Sequence, residues 1–240
     1  MTDESSSDYV AWKGWVDGGS FATLGPGDAQ YFSAELREAR RNRALHDVLE
    51  IGYGNGTFLR FCADNGWHVV GTELLPELVA AGTAAGFDAR DADDVADLPD
   101  GGFDLVVAFD VFEHIDPEQS IEFLSTLRDK LRPGGSIVLR FPNADSWIGN
   151  PFQNGDPTHV NAIGLLKMRY YATATGLEMQ AFRGISRRGF STSLVHGIHR
   201  MTGDVVARLV AGLARAVFLP ALPVVLSTGN VICVLRRATA

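Results

Sequence analysis

The sequence predicts an α/β fold, with a mostly parallel, doubly wound sheet and helices on both faces. Three observations lead there. Strand-like and helix-like stretches alternate from His46 to Phe141, the order of a parallel sheet with crossover helices. Several strand runs, such as Ser136–Phe141, are nearly continuous apolar segments, as in strands covered on both faces. The first run, "VLEI", meets three glycines in five residues in "GYGNG" before "TFL" resumes. Such a turn lets backbone approach a ligand closely, and the helix N-terminus after it offers free N–H groups.

Residues 1–43 form an acidic tail, an aromatic lead-in and a helix. "MTDESSSDY" is serine-rich, with neither the basic nor the apolar segment of a signal peptide, and reads as a flexible tail. Trp12, Trp15, Phe21, Tyr31 and Phe32 need a surface to pack on. They either cover the sheet edge or form a lid, and packing is the commoner fate of aromatics. A helix is expected from about Gln30 to Arg43.

Residues 44–182 form the core. His46–Ile51 is a strand, Gly56–Asn65 a helix, and Trp67–Thr72 a second strand ending at Glu73. Pro76–Ala85 is a helix with proline in its first turn. Phe87–Arg90 and Phe103–Phe109 are strands, and Glu118–Leu131 is a helix stopped by "RPGG" before the strand Ser136–Phe141. "PNADSWIGNPFQNGDPTHVN" has no period, and a loop this long in a compact domain is often functional. A helix at Ala162–Thr175 and a strand at Leu177–Phe182 close the core. Residues 183–229 are an apolar and basic helical insert, and 230–240 hold the last strand, Asn230–Arg236, and a tail.

Composition is that of a globular protein, 46% hydrophobic and 21% charged. Cys62 and Cys233 lack metal-ligand or redox spacing, which suits a reduced, cytosolic protein. Net charge is −8, unevenly spread. Eight arginines against Asp204 give the chain from Ala181 onward +7, leaving −15 on the rest. The basic part suits an anionic partner such as a membrane surface or a phosphorylated substrate, or is simply a solvated helical face. Nucleic acid is not expected, because the acidic remainder repels it.

The glycine loop alone admits two adenosine cofactors. A dinucleotide fingerprint is G-x-G-x-x-G, whereas Gly52, Gly54 and Gly56 give G-x-G-x-G, with Thr57 at the third position. Glu73 ends the second strand and offers two acceptor oxygens to a ribose diol, which suits either cofactor. In order, "VLEIGYGNGTFL", "DVADLPDGGFDLVVAFDVFEHID" and "LRDKLRPGGSIVLRFPN" resemble the class I S-adenosylmethionine-dependent methyltransferases over about Val48–Asn143. Tyr53 and Asn55 depart from the residues common in that family's loop.

The resemblance implies a Rossmann-like, seven-stranded sheet and a site. Glu50, Gly52, Gly54 and Gly56 would border the methionine part of S-adenosyl-L-methionine, and Glu73 would bind its ribose. Asp94 would accept from the adenine amino group, with Asp93 the alternative. Phe109 and Asp110 would line the cofactor. His114 has an orienting or capping role in this context. A base is needed only for a hydroxyl or protonated amine acceptor. His159, on the long loop, is the candidate base, with Asp156 orienting it and Asn143 either bonding the acceptor or holding the turn. No metal is expected, because the six histidines are scattered and no carboxylate–histidine set has ligand spacing.

In the insert, Val205, Val206, Leu209, Val210, Leu213, Ala216 and Val217 share one helical face, with Arg208 and Arg215 opposite, and Pro220 and Pro223 end the run. The charges and prolines argue against a membrane span. The 205–226 segment is therefore an interfacial helix on an anionic membrane surface, or a helix packed on the domain or in a homodimer. The expected activity is methyl transfer from S-adenosyl-L-methionine to a small-molecule, glycan or lipid-linked acceptor, in the cytoplasm or at the inner face of the membrane. A non-catalytic S-adenosylmethionine-binding adaptor and a nicotinamide-dependent oxidoreductase are the alternatives.

Overall fold

The computed structural model describes residues 21–41, 43–186 and 194–239, with the backbone alone for 194–201 and 204. Trp12 and Trp15 of the lead-in, and Arg187 and Arg188, lie outside the described residues. Seven strands form one sheet: β1 (Asp47–Ile51), β2 (His68–Glu73), β3 (Asp88–Asp91), β4 (Phe103–Phe109), β5 (Leu131–Pro142), β6 (Leu177–Gly184) and β7 (Asn230–Arg237). Their order is β3-β2-β1-β4-β5-β7-β6. The first five run parallel, and β7 lies antiparallel between β5 and β6.

Residue parity divides the core. Leu49, Val106, Ala108, Ile137 and Leu139 face the side covered by α5 (Ser120–Lys130) and α7 (Leu165–Ala174). Val48, Leu105, Val107 and Val138 face α1 (Asp28–Glu35), α2 (Arg37–Arg40), α3 (Thr57–Asp64) and α4 (Pro76–Ala84). This is the period-2 alternation of strands sandwiched between helices. On the second side Phe32 meets Phe58, Phe61 and Phe109, so the described lead-in aromatics Tyr31 and Phe32 are packing residues.

Three elements differ from the sequence reading. The helix expected at 30–43 begins at Asp28 and bends at Leu36, which is fully buried with φ −88° and ψ 3°. Arg183 clamps both segments, donating to Glu35 at 2.6 Å and Glu38 at 2.9 Å. The "RPGG" stretch ends α5 but lies inside β5. Phe103 pairs with Leu131 and Leu105 with Ser136, so four residues bulge opposite Asp104. Buried Asp104 holds the bulge through Arg132 at 2.9 Å and takes the N–H of His46 and Asp47. A short helix, α6 (Asn150–Asn154), interrupts the long loop.

The insert's helix, α8, spans Leu194–Phe218. It touches the core through Ala211 and Ala214, which join Leu165, Val224 and Leu226. The apolar face found in the sequence points away: Leu209 and Leu213 are each 69% exposed, and Val205, Val206, Val210 and Val217 are exposed too. α8 thus packs on the domain through its narrow alanine edge, because small residues allow close approach there. Among the described residues no helix is long and apolar enough to cross a membrane. Arg183 and Arg237 of the basic portion are spent internally, Arg237 on the carbonyls of Arg128, Asp129 and Leu131.

Candidate active site

The carboxyl ends of β1, β2 and β4 open onto a cavity of about 730 Å³. Ligands bind at this edge of open α/β sheets, where the loops leave the strands. Gly52, Glu73, Asp93, Asp110, His114 and Thr158 supply its polar wall, while Leu74, Val95, Val111, Ile115 and Phe123 supply the apolar one.

The glycine loop is held in shape from both sides. Gly52, Gly54 and Gly56 have φ of 66°, 53° and 71°, a region that side chains other than glycine rarely adopt. Gly52 also lies so close to the β4 loop that an added Cβ would sit 2.6 Å from Val111 Cγ2. Glu73 braces the loop: its Oε2 accepts the Gly54 N–H at 2.9 Å, and its Oε1 accepts the Leu74 N–H at 2.8 Å. Phe21 covers the outer side, its ring against Gly56, and the Ala22 N–H donates to the Asn55 carbonyl at 2.8 Å.

Two acids are buried behind the loop. Burial raises the Glu73 carboxyl despite the N–H groups that favour its charge. Burial pushes Glu50 well above the usual carboxylate range, Glu73 adds to this, and Arg140 opposes it. Folded protein therefore keeps the Glu50 proton at pH values where unfolded chain has lost it. Stability from this group is complete below the ordinary carboxylate pKa and declines as pH rises above it. Glu50→Gln is expected to raise the melting temperature of ligand-free protein, and by more at pH 8 than at pH 5. An equal shift at both pH values would sink that account.

The remaining expected cofactor residues divide. Asp110 stands at the cavity in a left-handed conformation, φ 56°. Its carboxylate is paired with Arg140, which also donates to the Tyr31 hydroxyl at 2.9 Å. Phe109 does not line the cavity. Strand alternation turns it to the opposite side, against Phe32, Phe58 and the Arg140 guanidinium. Asp93 and Asp94 sit on a 3₁₀ turn, Ala92–Val95, capped by Asp91. Asp93 lines the cavity and Asp94 is not among its lining residues, which reverses the preference expected from sequence.

The candidate catalytic residues are placed as follows. Asn143 is fully buried and donates to the carbonyls of Val225 and Thr228 at 2.6 and 3.3 Å, so it holds the turn. His159 and Asp156 do come together, with Nε2 and Oδ2 3.7 Å apart. His159 stands behind the wall, however; the cavity meets His114 and Thr158. The His114 and His159 rings meet edge to face, with centroids 4.6 Å apart. Glu113, 1% exposed, completes the group, its Oε1 3.9 Å from His159 Nε2. Spacing of 45 residues along the chain hides this carboxylate–histidine set in the sequence. Its one local signal is an acid beside a histidine immediately after a buried strand.

The donor set fits S-adenosyl-L-methionine. Glu73 offers two carboxylate oxygens at the end of β2, Asp93 offers a carboxylate on the cavity wall, and the glycines leave room for close approach. Comparisons with known proteins agree. A family model described as "Methyltransferase domain" matches residues 28–182. A ubiquinone biosynthesis O-methyltransferase of Xanthomonas axonopodis pv. citri is 30% identical over 125 residues, covering 48% of this chain and 49% of that protein. A probable S-adenosylmethionine-dependent methyltransferase of Mycolicibacterium smegmatis is 28% identical over 146 residues, covering 59% and 56%. The chain thus spans about half the length of these curated relatives. Among solved structures, a SAM-dependent methyltransferase from Archaeoglobus fulgidus matches with a TM-score of 0.63 at 20% identity, covering 90% of this chain and 96% of that one. A Burkholderia thailandensis N1-methyltransferase with bound S-adenosylhomocysteine matches with a TM-score of 0.56 at 16% identity, over 99% and 86%. The chain belongs to this methyltransferase-domain family and carries the fold of class I S-adenosylmethionine-dependent methyltransferases.

Proposed function

We propose that the enzyme methylates a hydroxyl of a small, partly apolar molecule. The observation that carries this is the mixed lining of the cavity beyond the glycine loop: apolar Val111, Ile115 and Phe123, with His114, Gln119 and Thr158 supplying polar groups that can hold a hydroxyl. The O-methyltransferase names of relatives at about 30% identity support a small acceptor.

S-adenosyl-L-methionine supplies an activated methyl group. The protein's task is alignment and exclusion of water. Bound in the cavity, the cofactor would supply that methyl to the acceptor oxygen, whose proton would pass to a base or to water. Glu73, Asp93 and the glycine loop hold the donor. Val111 and Phe123 shape the passage between donor and acceptor, and the His114 end receives the hydroxyl. Purified protein with methyl-labelled cofactor and fractionated host extract tests this. Label in small molecules that resists mild acid and base supports an ether; label confined to protein or polysaccharide overturns it.

The exposed apolar face of α8 favours a second element of this reading, a lipid surface from which an apolar acceptor arrives. Exposed Arg208 and Arg215 on the same helix complement anionic headgroups. Binding to phosphatidylglycerol vesicles is expected to exceed binding to phosphatidylcholine vesicles and to be lost in Leu209→Glu/Leu213→Glu. Because both leucines are solvent-facing, this variant keeps its melting temperature within a few degrees. Equal binding to both vesicle types would remove the anionic surface, and a shift from dimer to monomer in the variant would identify a second copy as the occupant.

A further inference from the structure

We propose that the chain holds a divalent transition-metal ion on Glu113, His114 and His159, with Asp156 beside them, at the acceptor end of the cavity. One donor atom from each of the three residues lies within 4.8 Å of the other two. His159 Nε2 stands 3.9 Å from Glu113 Oε1 and 3.7 Å from Asp156 Oδ2. These separations are too long for hydrogen bonds. They lie near the edge of about 3.4 Å that a tetrahedron of metal–ligand bonds of about 2.0–2.1 Å would have.

The rings are set up as ligands. His159 Nδ1 faces the Phe152 carbonyl at 3.0 Å, a pure acceptor, so Nδ1 carries the proton and Nε2 keeps its lone pair toward the carboxylates. His114 Nδ1 faces the Thr158 hydroxyl at 2.9 Å and the Thr158 carbonyl at 3.2 Å. That hydroxyl gives its own proton to Asp156 Oδ1 at 2.5 Å, so His114 Nδ1 is a donor as well. Outer hydrogen bonds of this kind fix the tautomer and aim of metal-binding imidazoles. The two carboxylates are almost fully buried, where their positions are fixed by packing.

Two imidazoles and a carboxylate suit zinc, iron(II) or cobalt(II) better than the oxygen-loving alkaline earths. Three protein ligands, with Asp156 held outside the shell by Thr158, would leave a position open, and His114 lines the cavity. An acceptor oxygen bound there would lose its proton near neutral pH, as metal-bound water does. This part rests on the hydroxyl-acceptor reading; binding of the ion does not.

The test uses the whole chain, stripped with chelator and titrated with Co²⁺. The expected result is a visible ligand-field spectrum saturating at one ion per chain and displaced by Zn²⁺. Glu113→Gln and His159→Gln are expected to weaken Co²⁺ at least about 10–100-fold, the loss that even outer-shell changes bring. Unchanged S-adenosyl-L-methionine affinity in both variants shows that they fold. Stoichiometric binding lost in both variants supports the site even while no acceptor is known, so its failure is separable from that of the acceptor reading. Absence of a spectrum, or one indifferent to both substitutions, overturns the proposal.

Discussion

Glu73→Ala is expected to weaken S-adenosyl-L-methionine binding by roughly 100-fold or more. The carboxylate does two things at once. It accepts the Gly54 N–H and so fixes the glycine loop, and it is the acid at the cavity that can take a ribose diol. Charge-assisted hydrogen bonds contribute about 1.5–3 kcal/mol each, and 2.8 kcal/mol of lost binding is about a factor of 100. Glu73→Gln keeps one acceptor oxygen and should fall between. Calorimetric titration of both variants, with circular dichroism to verify folding, checks this. Binding by Glu73→Ala within a few-fold of the parent would show that the diol is held elsewhere.

Gly52→Val is expected to abolish measurable cofactor binding and to lower thermal stability. Its two costs are independent. A φ of 66° costs an ordinary side chain about 1–2 kcal/mol. The new Cβ would also press into Val111, whose Cγ2 lies 2.6 Å from it and must shift. Pairing Gly52→Ala with Val111→Ala separates these costs. The double variant regains the steric part and retains the backbone part, so its stability lies between that of Gly52→Ala and the parent. Full recovery would show that the left-handed conformation is not required.

Much of the fold could be read because each strand is a run of apolar residues between punctuating glycines and prolines. β4 matches its expected bounds, and β1 and β2 match within about a residue. β5 was legible only in its second half. "RPGG" carries every sign of a stop, and the partner that turns it into a bulge, Asp104, lies on another strand. That Gly52, Glu73 and Asp93 meet at one cavity follows from sequence because each sits at the end of a strand within a single βα unit. Phe109 was misplaced although the period-2 rule assigns it to the α3 side. Asp93 could not be separated from Asp94, since a 3₁₀ turn has no face to count from.

The acceptor half was less legible. His159 and Asp156 are near in sequence, but Glu113 and His114 reach them only through the folding of the long loop, which the Asn161 N–H pins to the Glu113 carbonyl. For α8, periodicity located the apolar face but not its cover. The face that touches the domain is built of alanines, which carry little hydrophobic signal.

The excursion from β6 to β7 leaves and re-enters the sheet at a single cross-strand pair, Gly184 and Val231. The pairing of those two strands therefore does not itself depend on the length of the chain between them. Closing a longer loop costs only about 0.6 kcal/mol for each doubling of its length. Whole helices can be gained, lost or exchanged there by insertion and deletion while the distant cofactor edge, at β1 and β2, keeps its register. The hairpin is a socket, through which one chassis can be fitted to a new surface or a new clientele.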